Sequence, residues 1–168
     1  MPTPIRLTPA DAERYARLRM RMLTAMPGAF DASPQDDEAL HPAWLARMLA
    51  EEYGAIFAIQ APGPPGLNRV GLNEASDAPK LIAAATITRA KQPQFAHRAR
   101  IWGVFVEPPQ RGKGLGRALL SAAIDLARSW VGVDFVDLSV SENAPEAQRL
   151  YESLRRPNMR AGGMTRFT

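Results

Sequence analysis

A glycine-rich, basic segment between two apolar runs carries the clearest chemical signal in the chain. It reads Gln-Arg-Gly-Lys-Gly-Leu-Gly-Arg over residues 110–117, after the apolar run 101–106 and before the amphipathic run 118–130. This order predicts a strand, a glycine turn and a helix. Glycines let a backbone approach a bulky anion, and the first turn of a helix presents unpaired N–H groups and the positive end of the dipole. The segment therefore predicts a phosphate cradle.

Two common phosphate-binding fingerprints do not fit this segment. A Walker loop ends in Gly-Lys-Ser or Gly-Lys-Thr, whereas Lys113 is followed by Gly114. In the dinucleotide fingerprint, counted from Gly112 and Gly114, the third glycine position falls on Arg117. A glycine-rich turn without a ligand is the alternative, but three cations stand where the helix dipole already favours an anion. They are Arg111, Lys113 and Arg117.

The segment resembles the pyrophosphate-binding motif of the GNAT superfamily, the acyl-CoA-dependent N-acyltransferases. That motif reads Arg or Gln, two residues, Gly, one residue, and Gly or Ala. Arg111, Gly114 and Gly116 match it. The resemblance covers residues 80–154 well and implies the family fold of the α/β class, an α+β mixed sheet flanked by helices.

A second cofactor segment of the family has a counterpart downstream. The run 134–140 is predicted to be a strand and is followed by Asn143 and by the pair Leu150-Tyr151. The family has an Asn after this strand and a Leu-Tyr pair on the next helix. Asn143 therefore matches a side-chain contact to the cofactor arm, and it could equally cap the helix that begins near Pro145.

The resemblance implies acetyl-CoA as cosubstrate and an N-acetyltransferase that moves the acetyl group to a primary amine by direct attack in a ternary complex. The acceptor would be a small molecule or a peptide. The backbone near Phe105 is the candidate donor to the oxyanion that develops on the thioester. The implied cofactor-binding residues are Val104, Phe105, Val106, Arg111, Gly112, Lys113, Gly114, Leu115, Gly116, Arg117 and Asn143.

Tyr151 is the candidate catalytic residue, because its position serves many relatives as the general acid. A phenol with a pKa near 10 holds its proton at neutral pH and can share it with a leaving thiolate. The alternative is a ring that packs without a catalytic role.

Two other functions also stay open for the protein as a whole: a non-catalytic acyl-CoA-binding module of the same fold, and a nucleotide phosphate binder of unrelated fold.

The general base is not assigned by the sequence. Some relatives place a Glu four residues before the first strand position that contacts pantetheine, and that position here is Arg100. His97, Glu107 and Glu142 are the nearby titratable alternatives. A water chain, or an acceptor whose amine is already partly neutral, would serve as well.

Length and composition predict one domain over residues 1–168, with 1–154 regularly patterned and 155–168 an atypical basic tail. The chain is 46% hydrophobic, which is enough to build a core. It has no cysteine and two isolated histidines, so no metal site is expected. The apolar runs fall short of the roughly 20 residues that span a bilayer, and the N-terminal segment lacks the apolar core of a secretory signal. We therefore expect a soluble cytoplasmic protein without a membrane partner.

Net charge does not indicate a nucleic-acid partner. The formal charge of +4 is carried by the four arginines of residues 155–168, a stretch without acids, so the preceding residues are balanced. A region with equal numbers of acidic and basic residues gives no general electrostatic footprint for DNA or RNA.

The family usually continues after the Leu-Tyr helix with two further strands, which this tail shortens. An unpaired sheet edge is a template for association, so a homodimer covering it is a hypothesis.

The remaining pattern predicts the order strand, two helices, three strands, helix, strand, helix. Thr8, Pro9 and Asp11 are typical of a helix start. Apolar residues at helical spacing then form a buried stripe, Tyr15, Leu18, Met22 and Met26. Strands are predicted over 55–61 and 81–88, joined by a polar surface connection over 62–79. The acidic loop containing Asp36 and Asp37 weakly favours a cationic acceptor.

Overall fold

The computed structural model describes residues 3–30, 32–62, 78–138 and 145–154. Strands and helices follow one another there in the predicted order. The strands are β1 (Ile5–Arg6), β2 (Gly54–Gln60), β3 (Leu81–Arg89), β4 (Arg98–Val106) and β5 (Phe135–Leu138). The helices are α1 (Ala12–Ala25), α2 (Pro42–Ala50), α3 (Leu115–Ser129) and α4 (Pro145–Leu154).

The strands form one mixed sheet in the order β1-β2-β3-β4-β5. Pairs from β1 to β4 are antiparallel, whereas β4 and β5 run parallel, with Arg98 opposite Phe135 and Ile101 opposite Leu138. A parallel pair needs a crossover connection, and α3 supplies it. This is the mixed sheet that the family resemblance implied.

Helices cover both faces of the sheet. On one face, α1 and α2 pack on the central strands. Tyr15, Leu18 and Met22 of α1 are fully buried as the helical stripe predicted, whereas Met26 follows the end of α1 and is only partly buried. On the other face, α3 and α4 pack on residues such as Ile87 and Ile101. Because both faces are covered, β2 and β3 are nearly continuous apolar runs rather than alternating ones.

The first helix begins as the residues at 8–11 predicted, with one difference. Pro9–Asp11 form a 3-10 turn and the α-helix starts at Ala12. Asp11 accepts hydrogen bonds from the backbone N–H of Thr8 at 2.9 Å and from its hydroxyl at 3.0 Å. Burial opposes ionisation of this carboxyl, but the bonds from Thr8 and Arg14 hold its pKa below the usual value.

Several predicted boundaries differ from the structure. Strand β4 begins at Arg98, three residues before the predicted start, and α3 begins at Leu115 rather than 118. Strand β5 covers Phe135–Leu138, and positions 139 and 140 lie outside the described residues, as do most of the predicted connection and the basic tail. Within the described ranges, no helix has the length and apolar character needed to cross a membrane.

Strand β4 contains a bulge at the centre of the sheet. Trp102 pairs with Thr86 and Phe105 pairs with Ala84, so two residues of β4, Gly103 and Val104, stand opposite one residue of β3. Gly103 has φ +59°, a left-handed conformation that suits glycine. Bulges bend a strand and re-aim its side chains, so this bulge marks where β4 departs from regular pairing.

Candidate functional site

The glycine turn lies between the end of β4 and the start of α3, as predicted. A 3-10 turn over Pro108–Gln110 follows β4, and Gly114 is the residue that caps α3. Ala118 makes a helical hydrogen bond back to the carbonyl of Gly114. Gly114 has no side chain with which to cap the helix, so the N–H groups of the first turn stay available to an external acceptor.

The glycines of this turn have two different roles. Gly112 and Gly114 both have φ +75°, and the space that a Cβ would occupy at either is open. These two positions need glycine for conformation. Gly116 lies within α3, where a Cβ would be 2.9 Å from Cδ2 of Leu150, so its missing side chain lets α4 approach α3.

The three cations of the segment are exposed and held by neighbouring groups. Arg111 donates from Nε to the carbonyl of Val106 at 3.2 Å, and Lys113 donates to the side-chain carbonyl of Gln110 at 2.8 Å. Arg117 donates to the hydroxyl of Ser153 at 2.9 Å and so links α3 to α4. Their positive charge adds to that of the α3 dipole at one end of the sheet.

Strand β4 leads from the bulge to this turn. Val104 and Val106 are half-buried on the α3 face, whereas Phe105 is buried among the residues that pack under α1 and α2. Leu115, the first residue of α3, is buried in the same cluster as Val106. The segments predicted to hold the cofactor arm and its diphosphate are therefore continuous in space.

Tyr151 lies on α4 beside the residue that packs on Gly116. Its ring packs against the apolar cluster that lies between α3, α4 and the sheet. Burial raises the pKa of Tyr151 to about 12, so its hydroxyl is protonated at neutral pH. Asn143, the other predicted residue of this second segment, lies outside the described residues.

The two candidate general bases within the described residues, His97 and Glu107, flank opposite ends of β4. Glu107 is held by two cations, with Arg21 Nε and Lys80 Nζ both 3.0 Å from its Oε1. The ring of His97 lies edge-on to Phe135 with centroids 5.7 Å apart. Glu142 lies outside the described residues.

Two acids of the acidic loop, Asp36 and Asp37, have partners within the protein. Asp36 accepts from the backbone N–H of Ser33 at 2.6 Å and from its hydroxyl at 2.8 Å, and these bonds lower the pKa of Asp36. Asp37 is buried, accepts from the backbone N–H of Ala39 at 2.8 Å, and pairs with Arg19.

Sequence reasoning missed a buried polar cluster under the bulge. Arg19 is buried between the rings of Phe30 and Trp102, with its guanidinium carbon 5.1 and 5.8 Å from their centroids. A Cβ on Gly103 would lie 3.2 Å from its Nη1. This nitrogen has no hydrogen-bond partner among the described residues.

Tyr15 completes this cluster. Its hydroxyl is 3.1 Å from that of Thr86, the residue opposite Trp102, and burial raises its pKa. One signal in the sequence could have found the cluster: Arg19 stands one helical turn after Tyr15 and three residues before Met22, so it interrupts the apolar stripe.

Comparison with known proteins identifies the family. The model of the acetyltransferase (GNAT) family matches residues 32–155. The chain therefore belongs to the GNAT family of acetyltransferases. Mycothiol acetyltransferase from Thermobispora bispora is 46% identical over 68 residues, which cover 40% of this chain and 20% of that protein. The chain thus matches about a fifth of the length of this curated relative.

Solved structures share the fold. The GNAT-family acetyltransferase of Streptococcus pneumoniae has a TM-score of 0.70 at 14% identity, covering 92% of this chain and 83% of that one. The Salmonella typhimurium protein yncA, whose structure contains its cofactor acetyl-CoA, has a TM-score of 0.67 at 21% identity, with 92% and 78% covered. At these identities the likeness establishes the fold.

Proposed function

We propose that this protein transfers the acetyl group of acetyl-CoA to a primary amine of a small molecule or peptide, by direct attack in a ternary complex. One observation carries the proposal. Gly112 and Gly114, both with left-handed backbone, lie in the turn that connects the bulged strand β4 to the start of α3. Family membership gives the acetyl transfer, and this geometry supports where the cosubstrate would bind.

The turn fits a diphosphate group. The open space beside Gly112 and Gly114 leaves their backbone accessible. The start of a helix offers unpaired N–H groups to an anion. Arg111 and Lys113 add positive charge on the same turn, where their exposed side chains can exchange neutral carbonyl partners for phosphate oxygens. These residues would hold the diphosphate, with Leu115, Gly116 and Arg117 contributing the first turn of α3.

The strand before the turn would hold the rest of the cosubstrate. When bound, acetyl-CoA supplies an activated acetyl thioester. Val104 and Val106 would offer backbone groups to its arm, and a backbone N–H near Phe105 would donate to the thioester oxygen as negative charge develops there. A donor already fixed by the sheet needs no reorganisation during the reaction.

Tyr151 would hold and deliver the proton that the departing thiolate requires. Its raised pKa keeps the proton on Oη at neutral pH. The preceding residue, Leu150, packs on Gly116 and so holds α4 against the start of α3. The phenol therefore lies on the helix that packs against the first turn of α3.

The acceptor amine would lose its proton to water. Arg100 occupies the strand position where some relatives carry a glutamate, and the nearby Glu107 is neutralised by Arg21 and Lys80. Transfer should therefore speed up with rising pH as the acceptor itself becomes neutral.

The experiment that tests the proposed function has two parts. Calorimetry should detect binding of intact acetyl-CoA that ATP does not displace. Thiol release should then depend on an added amine. Binding without amine-dependent thiol release would instead assign a non-catalytic acyl-CoA-binding module, and displacement by ATP would point to a nucleotide phosphate binder.

A further inference from the structure

Three polar side-chain atoms converge on the α-carbon of Gly103, at the bulge in β4. A Cβ at this position would lie 3.2 Å from Nη1 of Arg19, 3.5 Å from Oη of Tyr15 and 3.6 Å from Oγ1 of Thr86. Glycine is therefore needed here for space as well as for its left-handed backbone. The bulged backbone of β4 lies directly against groups that α1 and β3 supply.

These groups are held in one arrangement by their own hydrogen bonds. Nε of Arg19 donates to Oδ2 of Asp37 at 2.7 Å, and Oδ1 of Asp37 accepts from the backbone N–H of Ala39 at 2.8 Å. The hydroxyls of Tyr15 and Thr86 are 3.1 Å apart. All four polar side chains are buried, so their hydrogen bonds form in a low-dielectric interior, where they are stronger than in water. The bulge therefore packs on a fixed surface.

Arg19 has a feature that packing alone does not explain. Its Nη1 is buried and has no hydrogen-bond partner within the residues that the structure describes. A buried donor without a partner costs free energy, and an apolar side chain in its place would avoid that cost. Nε faces Asp37 whereas Nη1 faces Gly103, so the guanidinium lies between the carboxylate and the bulge. The ion pair thus presents its positive end to the strand.

A second arginine of α1 shows what distinguishes Arg19. Nε of Arg14 is also buried and, in the described part of the chain, also lacks a hydrogen-bond partner. Arg14 pairs with Asp11 at 2.6 Å and donates from Nη2 to the carbonyl of Pro79 at 2.6 Å. These contacts join α1 to the segment before β3. Of the two unpartnered nitrogens, the one on Arg19 lies against the bulge, so its position and not its burial sets it apart.

We propose that Arg19 is a positioning residue for acetyl transfer. Held by Asp37, it fixes the bulged backbone in the orientation that directs an N–H group near Phe105 to the thioester oxygen. It also turns the positive end of the ion pair toward the negative charge that develops on that oxygen. Donors and dipoles fixed in advance need no reorganisation during the reaction. Arg19 acts through Gly103 and not by contact with a substrate. This inference rests on the proposed function, because it assigns Arg19 a part in the same reaction.

The first test removes the ion pair without leaving a buried charge unpaired. The double variant Arg19→Met with Asp37→Leu replaces both partners by apolar side chains, an exchange that is often neutral or stabilising for a buried ion pair. Because the bulge loses its support, kcat should fall about a hundredfold while the KM for acetyl-CoA stays similar. An unchanged kcat in a double variant that melts cooperatively would overturn the proposal.

Two single variants keep the test decisive even if the double variant does not fold. Arg19→Lys keeps a cation beside Asp37 but has one nitrogen, which cannot contact Asp37 and Gly103 together, so kcat should fall here too. Arg14→Met is the matched control, because it removes the other buried guanidinium of α1 and should lower stability with kcat unchanged. Full kcat in Arg19→Lys, or an equal loss of kcat in Arg14→Met, would contradict the assignment.

A double-mutant cycle tests whether Arg19 acts through Gly103. Gly103→Ala places a Cβ 3.2 Å from Nη1, so the guanidinium has to move. When Gly103→Ala is combined with Arg19→Met and Asp37→Leu, kcat should fall no further than the larger of the two separate losses. Losses that multiply would mean that the glycine and the ion pair act independently, and the positioning role would fail.

The thioester of bound acetyl-CoA gives a readout that does not require turnover. Infrared difference spectra of acetyl-CoA labelled with ¹³C at the thioester carbonyl should show this stretch at lower wavenumber in the complex than in solution, because donors at the bulge polarise the bond. In the double variant this shift should be lost although the coenzyme still binds. That loss, without acetyl transfer to any amine, would sustain the positioning role and overturn the proposed function. Acetyl transfer with the same kcat and the same carbonyl shift in both proteins would do the reverse.

Discussion

Arg19 and Asp37 form a buried ion pair that ties α1 to the segment before α2. Arg19 Nε donates to Asp37 Oδ2 at 2.7 Å, and the two side chains are 5% and 6% exposed. The same guanidinium contacts Trp102 next to the β4 bulge. The pair therefore fixes α1 against the strand that would hold the cosubstrate arm.

Loss of this pair should be costly to stability. Asp37→Ala leaves a buried guanidinium without its charge partner, so we expect the free energy of unfolding to fall by about 3–5 kcal/mol. Denaturant titration measures it. Lys91 and Glu51 provide the control, because they also lie 2.7 Å apart but are 77% and 43% exposed. Glu51→Ala should cost less than about 1 kcal/mol. Equal losses would mean that burial does not decide the strength of the pair.

The glycine turn should be sensitive through its backbone. Gly114 has φ +75°, and a Cβ there would meet open space, so Gly114→Ala strains the backbone by about 1–2 kcal/mol without a steric clash. Relief of that strain would turn the backbone N–H groups of the turn away from the diphosphate. We expect weaker acetyl-CoA binding by calorimetry. Gly28→Ala is the matched control, because Gly28 has φ +79° and equally open space outside the turn. It should lose similar stability and keep its affinity; an equal loss of affinity would contradict the assignment of Gly114.

The phenol of Tyr151 should matter for turnover more than for binding. Tyr151→Phe keeps the ring and removes the proton donor, so kcat should fall by roughly 10²–10⁴ while acetyl-CoA affinity stays similar. Steady-state kinetics measures kcat, and calorimetry measures the affinity for acetyl-CoA. Tyr53→Phe is the control, because the ring of Tyr53 meets Trp130 at the C-terminal end of α3, away from the glycine turn, and this variant should leave kcat unchanged. Full turnover in Tyr151→Phe would leave the residue a packing role.

Alkaline pH should destabilise the fold through the same tyrosine. An unfolded tyrosine titrates near 10, whereas burial raises the pKa of Tyr151 to about 12. Between these values the unfolded chain loses a proton that the folded chain keeps. The stability that the protonated Tyr151 contributes is therefore fully present below about pH 10. As pH rises toward 12, the free energy of unfolding falls by up to about 1.4 kcal/mol per pH unit. Urea titrations over this interval should show a smaller slope for Tyr151→Phe. An identical slope would mean that the hydroxyl titrates as if exposed.

Much of the fold was predictable because it depends on local signals. The residues around Thr8 predict the start of a helix, and the glycines at 112 and 114 predict the turn between a strand and a helix. Strand ends were less certain: β4 extends back to Arg98 because Asp137 on the neighbouring strand binds it, a contact 39 residues away. Such pairing leaves no trace in a short window of sequence.

The acceptor face was the least predictable part of the candidate site. A charged residue in a helix is usually solvated, so the burial of Arg19 follows from its tertiary partners rather than from its neighbours in sequence. The acids of the loop weakly favour a cationic ligand, and the sequence does not reveal that Asp36 bonds to Ser33 while Asp37 is buried against Arg19. Gly116 matches the family motif, but its packing role depends on contact with Leu150, 34 residues later in the chain.

The bulge in β4 makes Gly103 dispensable for register. Without this residue, Trp102 would still face Thr86, Val104 would face Ala85, and Phe105 would still face Ala84. A one-residue deletion should therefore yield a regular ladder with every remaining side chain on its present side. Such a shortened chain should melt cooperatively yet fail to acetylate, which would show that this residue is kept for chemistry at some expense in strand regularity.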